Sequence, residues 1–165
     1  MVICLTGFMG SGKSSVGRAL SSALEFGFTD LDDYIVRMTG RTIKDIFVNG
    51  EGSFRDIELQ ALREVLSKIG DRDWVLSLGG GTLTKSEAQD MIFGHCVSIY
   101  LRARIGTIIE RLKDEVDSRP MLKDSAIDEL LEKRSCVYGR ADYIIDTDSR
   151  PIEDIVSEIR DLVQV

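Results

Sequence analysis

Gly7-Phe8-Met9-Gly10-Ser11-Gly12-Lys13-Ser14 is the stretch on which the reading of this chain turns. It matches GxxxxGK[ST] in full. The apolar run MVICLT (residues 1–6) leads into it, and after it Val16, Ala19, Leu20, Ala23 and Leu24 fall on one helical face. Strand, glycine-rich turn and helix form the setting in which such a loop wraps a phosphate. The glycines let backbone N–H groups turn inward, and the helix N-terminus adds partial positive charge. Lys13 can reach the β and γ oxygens, and the Ser14 hydroxyl can ligate Mg²⁺. A nucleoside triphosphate is therefore expected on Gly10, Ser11, Gly12, Lys13, Ser14 and Ser15.

Outward from this loop, β-branched apolar runs recur at Val2–Leu5, Trp74–Leu78, Cys96–Leu101 and Tyr143–Ile145, with a weaker one at Phe28–Leu31. Between them lie helical patterns, among them Ile127/Leu130/Leu131 and Ile152/Ile155/Val156/Ile159/Leu162/Val163. Strands alternating with helices imply a parallel sheet covered on both faces, so the expectation is one doubly wound α/β domain over residues 1–165. The 28 Asp+Glu against 21 Lys+Arg leave a net charge of −7, which argues against nucleic acid and anionic membranes as partners. No apolar run approaches the roughly 18 residues of a membrane span, and the start lacks the basic residues of a signal peptide. Three widely spaced cysteines, Cys4, Cys96 and Cys136, predict free thiols and a cytoplasmic setting. His95-Cys96 reads as a loop histidine before a buried strand cysteine, because a metal site needs three or four convergent ligands.

Further polar groups are candidates for chemistry. Asp30 and Asp32 follow the second strand, at the sheet edge where open α/β folds bind ligands, and share a face if the strand continues. One could hold Mg²⁺ through water and the other engage a substrate hydroxyl; alternatively, Asp32 or Asp33 caps the next helix. Arg134 continues the apolar stripe of Ile127, Leu130 and Leu131, so its guanidinium needs an anion, either a ligand carboxylate or an internal acid. Arg55 sits at the edge of the Phe54/Ile57/Ala61/Leu62 stripe, a position that by itself suits a surface arginine. Gly79-Gly80-Gly81 removes side chains directly after a strand, for a close approach or for a flexible loop. Lys113–Asp124 is charged, contains Pro120, and suits either a closing lid or a solvated loop. Phe8, Met9 and Phe47 could line a pocket wall, although apolar residues more often serve packing, and packing is the reading here.

Taken in order, these landmarks resemble the shikimate kinase family. The resemblance runs through GFMGSGKSSVGRAL (residues 7–20), Asp30-Leu31-Asp32, Ile46-Phe47, Gly50-Glu51 and Phe54-Arg55-x-x-Glu58. It continues in Leu78-Gly79-Gly80-Gly81, Arg119-Pro120-x-Leu122, Arg134-x-x-x-Tyr138 and Ala141-Asp142. Only Val48 and Asn49 separate Ile46-Phe47 from Gly50-Glu51, where the family usually has three residues, and Leu31 stands where it often has a small one. The resemblance implies a P-loop kinase fold, three-layered α/β/α with a five-stranded parallel sheet in the order 2-3-1-4-5. It also implies substrate-binding helices at about residues 32–62 and a lid at about 112–124. The implied activity is ATP-dependent phosphorylation of the 3-hydroxyl of shikimate, with Mg²⁺ as cofactor; a monomer is the default expectation. Catalytic roles fall to Lys13, Asp32 and Arg119, and metal binding to Ser14 and Asp30. Shikimate binding falls to Asp32, Arg55, Gly79, Gly80, Gly81 and Arg134. Arg111, Arg119 and Arg150 join the phosphate loop in binding ATP. A gluconate-kinase-like enzyme is the nearest rival, and a GTPase switch lacks its DxxG and NKxD motifs here.

Overall fold

The computed structural model describes residues 1–113 and 127–164, so Arg119, Pro120 and most of the expected lid lie outside the described residues. Five strands form one parallel sheet: β1 (Val2–Thr6), β2 (Gly27–Asp30), β3 (Trp74–Ser77), β4 (Val97–Arg102) and β5 (Tyr143–Asp146). Their order, β2-β3-β1-β4-β5, is the expected one and puts the strand before the phosphate loop in the middle. Register aligns Cys4 with Leu76 on one side and with Ser98 on the other.

Alternation along β1 separates two cores, because successive side chains leave opposite faces. Ile3 and Leu5 point to the face covered by α1 (Lys13–Leu24) and α8 (Ile152–Val163), whose Val16, Leu20, Ile155 and Ile159 fill that layer. Cys4 points to the other face, under α2 (Leu31–Thr39), α3 (Ile43–Phe47), α4 (Glu51–Ile69) and α5 (Ser86–His95). A third cluster joins Phe8 and Met9 of the phosphate loop to Tyr100, to Ile108 and Leu112 of α6 (Ile105–Leu112), and to Tyr138 of α7 (Ile127–Tyr138). It backs the edge where all five strands end.

Two expectations need correction. The run Phe28–Leu31 is not one strand: β2 stops at Asp30, whose side chain accepts from the Asp32 and Asp33 amides and starts α2 at Leu31. Asp30, not Asp32 or Asp33, is the helix cap. His95 is not in a loop but closes α5, and Cys96 is only half-buried, one residue ahead of β4. Among the described residues, no helix is long and apolar enough to cross a membrane.

Candidate active site

Three segments at the carboxyl ends of the strands build the site. The first is the phosphate loop after β1. Gly10 (φ 74°) and Gly12 (φ 96°) take left-handed backbone angles that side chains resist, which brings the loop round to the start of α1. Lys13 is buried and donates from Nζ to the Phe8 carbonyl at 2.9 Å, folding its ammonium over the loop. One turn of α1 lies beside the start of α2, so the Ser14 hydroxyl donates to Asp30 Oδ2. Asp30 Oδ1 meanwhile caps α2, at 3.0 Å from the Asp32 amide and 3.3 Å from that of Asp33. Asp30 and Asp32 thus meet through a helix turn rather than through strand alternation. Asp33 faces away and pairs with Arg18 at 3.0 Å on the surface. Ser14 and Asp30 present hard oxygens to the phosphate side. Two such donors suit a small divalent cation that brings its own waters and phosphate oxygens.

The second segment is Gly79-Gly80-Gly81, which follows β3. A Cβ on Gly79 would stand 2.7 Å from Glu58 Oε1 and 3.1 Å from Asp32 Oδ1. One on Gly80 would lie 3.4 Å from both Arg134 Nη1 and the Met9 backbone, and one on Gly81 would collide with the Arg55 guanidinium. The glycines therefore serve close approach: two arginines and two carboxylates converge on a strip without side chains.

The third segment is the pair of arginines. Arg55 is 6% exposed, not the surface arginine its periodicity suggests. Its Nη1 donates to Glu58 at 2.8 Å, Nη2 lies 3.3 Å from Glu51, and Glu58 also accepts from the Thr82 hydroxyl at 2.7 Å. Arg134 is 5% exposed and has no ion-pair partner among the described residues; its Nε has no hydrogen-bond partner, and the guanidinium lies over the Phe8 ring. Burial lowers its pKa from the ordinary value, and Arg55 pushes the same way. Among the described residues no acid satisfies Arg134, and a ligand anion is a fitting partner.

Between these segments lies a cavity of about 390 Å³. Gly10, Gly12, Lys13, Ser14, Ser15, Asp30, Asp32, Arg55, Gly79, Gly80, Gly81 and Arg134 all line it. Among the described residues, three of the candidates, Ser11, Arg111 and Arg150, do not. Ser11 is buried behind the loop, its carbonyl accepting from Thr147 at 3.4 Å. Arg111 reaches the Gly10 carbonyl at 2.9 Å, beside the β5–α8 connection. On that connection Arg150 donates to the Asp146 carbonyl at 3.0 Å and pairs with Glu158 at 2.7 Å.

Glu58 and Thr82 were not nominated, although Glu58 orients a site arginine. Its signal was the spacing to Arg55, which puts the two on one helical face; Thr82 carried none. Met9 and Phe47 take the less expected of their two roles and form cavity wall together with Ile43 and Phe54.

Comparison with known proteins matches this arrangement. A family model described as shikimate kinase covers residues 9–164. A shikimate kinase of Thermus thermophilus is 44% identical over 162 residues, 95% of this chain and 86% of the relative. That of Persephonella marina is 41% identical over 160 residues, 95% of each. Among solved structures, the shikimate kinase of Acinetobacter baumannii in complex with shikimate superposes with a TM-score of 0.92 at 32% identity, covering 99% of this chain and 92% of that one. With nearly its full length matched by the family model and by relatives well above 30% identity, the chain belongs to the shikimate kinase family.

Proposed function

We propose that this cavity is where ATP and shikimate meet, and that the chain transfers the γ-phosphoryl group to the 3-hydroxyl of shikimate on the route to chorismate and the aromatic amino acids. The observation that carries the reading is Arg134. It is a buried guanidinium without an ion-pair partner among the described residues, set beside Arg55 and the triple glycine in the cavity that also holds the phosphate loop. A ring acid with one carboxylate and several hydroxyls supplies what that pocket lacks.

In this reading, the loop amides and Lys13 hold the β- and γ-phosphates, with the adenine beside Arg111 and the Arg150-Pro151 segment. Arg55 and Arg134 fix the carboxylate, and the glycine strip lets the ring lie flat. Asp32 accepts the hydrogen bond of the attacking hydroxyl and takes its proton as the new O–P bond forms and ADP departs. Arg119 would supply further positive charge to the transferring group. Ser14 and Asp30 are the residues for Mg²⁺, the latter through water; when bound, the cation offsets charge on the phosphate oxygens. Positioning and electrostatics carry the rate enhancement, because phosphoryl transfer gives the protein little covalent work. Residues 1–165 act as one kinase unit, α2 to α4 forming the substrate side and residues 112–124 the lid, in a cytoplasmic monomer.

Release of ADP from purified protein with MgATP and shikimate, gluconate or no acceptor tests this. Turnover is expected with shikimate alone; ADP release without an acceptor, or only with gluconate, would sink the assignment.

A further inference from the structure

The triple glycine poses a mechanical problem. A strip without side chains has nothing of its own to grip its surroundings, yet a substrate floor must hold still. The Gly79 carbonyl accepts from the Thr82 amide at 3.2 Å, and the Gly81 carbonyl from the Thr84 amide at 3.1 Å and hydroxyl at 2.7 Å. All three bonds stay within the local turn. The Gly80 carbonyl instead accepts from the phenol of Tyr138, 58 residues away on α7.

Tyr138 is built in firmly. It is 1% exposed, and its ring packs on Tyr100 with centroids 5.1 Å apart, in the cluster that also contains Phe8 and Met9 of the phosphate loop. Burial raises its pKa, so the phenol stays protonated and remains a donor. Arg134 lies four residues earlier on the same helix, one turn away and on the same face. A Cβ on Gly80 would touch Arg134 Nη1. One helix therefore presents a cation to the glycine strip and, a turn later, clamps that strip's middle carbonyl.

We infer that Tyr138 is a positioning residue for shikimate binding: its phenol holds the glycine floor in register with the Arg134 guanidinium. It acts through the Gly80 carbonyl and through its own polar contact with the Arg134 guanidinium. This rests on the placement of shikimate proposed above.

Tyr138→Phe removes the donor and keeps the ring. The expected result is a rise of about 5- to 20-fold in the shikimate KM, with the ATP KM within twofold of the parent. Loss of folded protein lowers kcat but leaves both KM values in place, so the split separates positioning from stability. Tyr138→p-aminophenylalanine restores a donor at the same place and should bring the shikimate KM back within threefold. It also reads the inference independently if Tyr138→Phe fails to fold. Tyr100→Phe removes a hydroxyl from the same cluster without touching Gly80, and its shikimate KM should stay at the parent value. An unchanged shikimate KM in Tyr138→Phe, an equal rise in both KM values, failure of the amino variant to restore, or an equal effect in Tyr100→Phe would each overturn the inference. Arg134→Ala, run alongside, separates the two readings. If it too leaves the shikimate KM unchanged, the placement of the substrate has failed; if it alone raises KM, only the role of Tyr138 has.

Discussion

Arg134 shows how far a single residue can be read before a structure is in hand. A guanidinium seven positions beyond Ile127 on an apolar stripe has to be buried, and a buried cation has to find an anion; both statements need only helical periodicity and solvation physics. What periodicity could not choose was the anion, because an internal acid from any distant segment would have served. Glu58 was hidden for the opposite reason. An acid three residues from an arginine looks like a surface pair, and only its 1% exposure and its bond to Thr82 mark it as a support for Arg55. At this scale, Arg134→Ala should raise the shikimate KM at least tenfold while the ATP KM holds, as initial-rate kinetics at varied shikimate would show. Glu58→Gln keeps the shape but removes the charge that fixes Arg55. A smaller rise, about three- to tenfold, is expected in the same assay, together with a lower melting temperature, since a buried arginine then loses its closest anion. Lys13→Met should abolish ADP release; parental turnover in that variant would remove the phosphate loop from the mechanism.

Elements were legible in their existence and less so at their ends. The five apolar runs all became strands, yet Leu31, apolar and contiguous with β2, went to α2. A carboxylate at position 30 offered two orphan amides a better partner than a longer strand could. That cap also decides the site, since one Asp30 oxygen holds α2 while the other faces Ser14. The two duties can be separated. Asn is as good a cap as Asp, so Asp30→Asn should keep the melting temperature within a degree or two while raising the Mg²⁺ concentration needed for half-maximal rate severalfold. Asp30→Ala should show the same Mg²⁺ effect and lose about 1 kcal/mol of stability as well, roughly 2–4 °C by thermal denaturation at this size. The short connection between α3 and α4 is accommodated within the fold. Amides of Val48, Asn49 and Gly50 bond back to carbonyls three residues earlier, and Phe47 still reaches the cavity wall.

For the whole molecule, a net charge of −7 is compatible with the proposed anion site, because the cations lining the cavity are local: Lys13 at the phosphate loop, Arg55 on α4 and Arg134 on α7. Acid should nevertheless weaken the fold in a traceable way. The bond to Arg102 holds the Asp146 carboxyl below its ordinary value of 3.8, and the Thr107 hydroxyl does the same for Asp148. A carboxyl depressed in the native state adds stability above its unfolded pKa and loses it as pH falls through the native one. Melting temperature should therefore fall on acidification below about pH 4. Asp146→Asn should flatten that limb while costing little at pH 7, because the pair is more than half exposed. Leu20→Ala, by contrast, empties a fully buried position between α1 and α8. It should cost about 2–5 kcal/mol in urea denaturation, with m unchanged.

That packing of α1 against α8 has a consequence for synthesis. The helix that begins at the phosphate loop leaves the ribosome early, but Ile155, Val156, Ile159 and Val163, which cover its apolar back, are translated about 130 residues later. At ordinary elongation rates that interval lasts roughly 6–26 s. During it the nascent chain carries Val16 and Leu20 without their α8 cover, even after β3 and β4 have been made to flank the middle strand. A message broken before codon 152 would thus yield not a weakened kinase but a sticky fragment, a substrate for chaperones and proteases rather than for ATP.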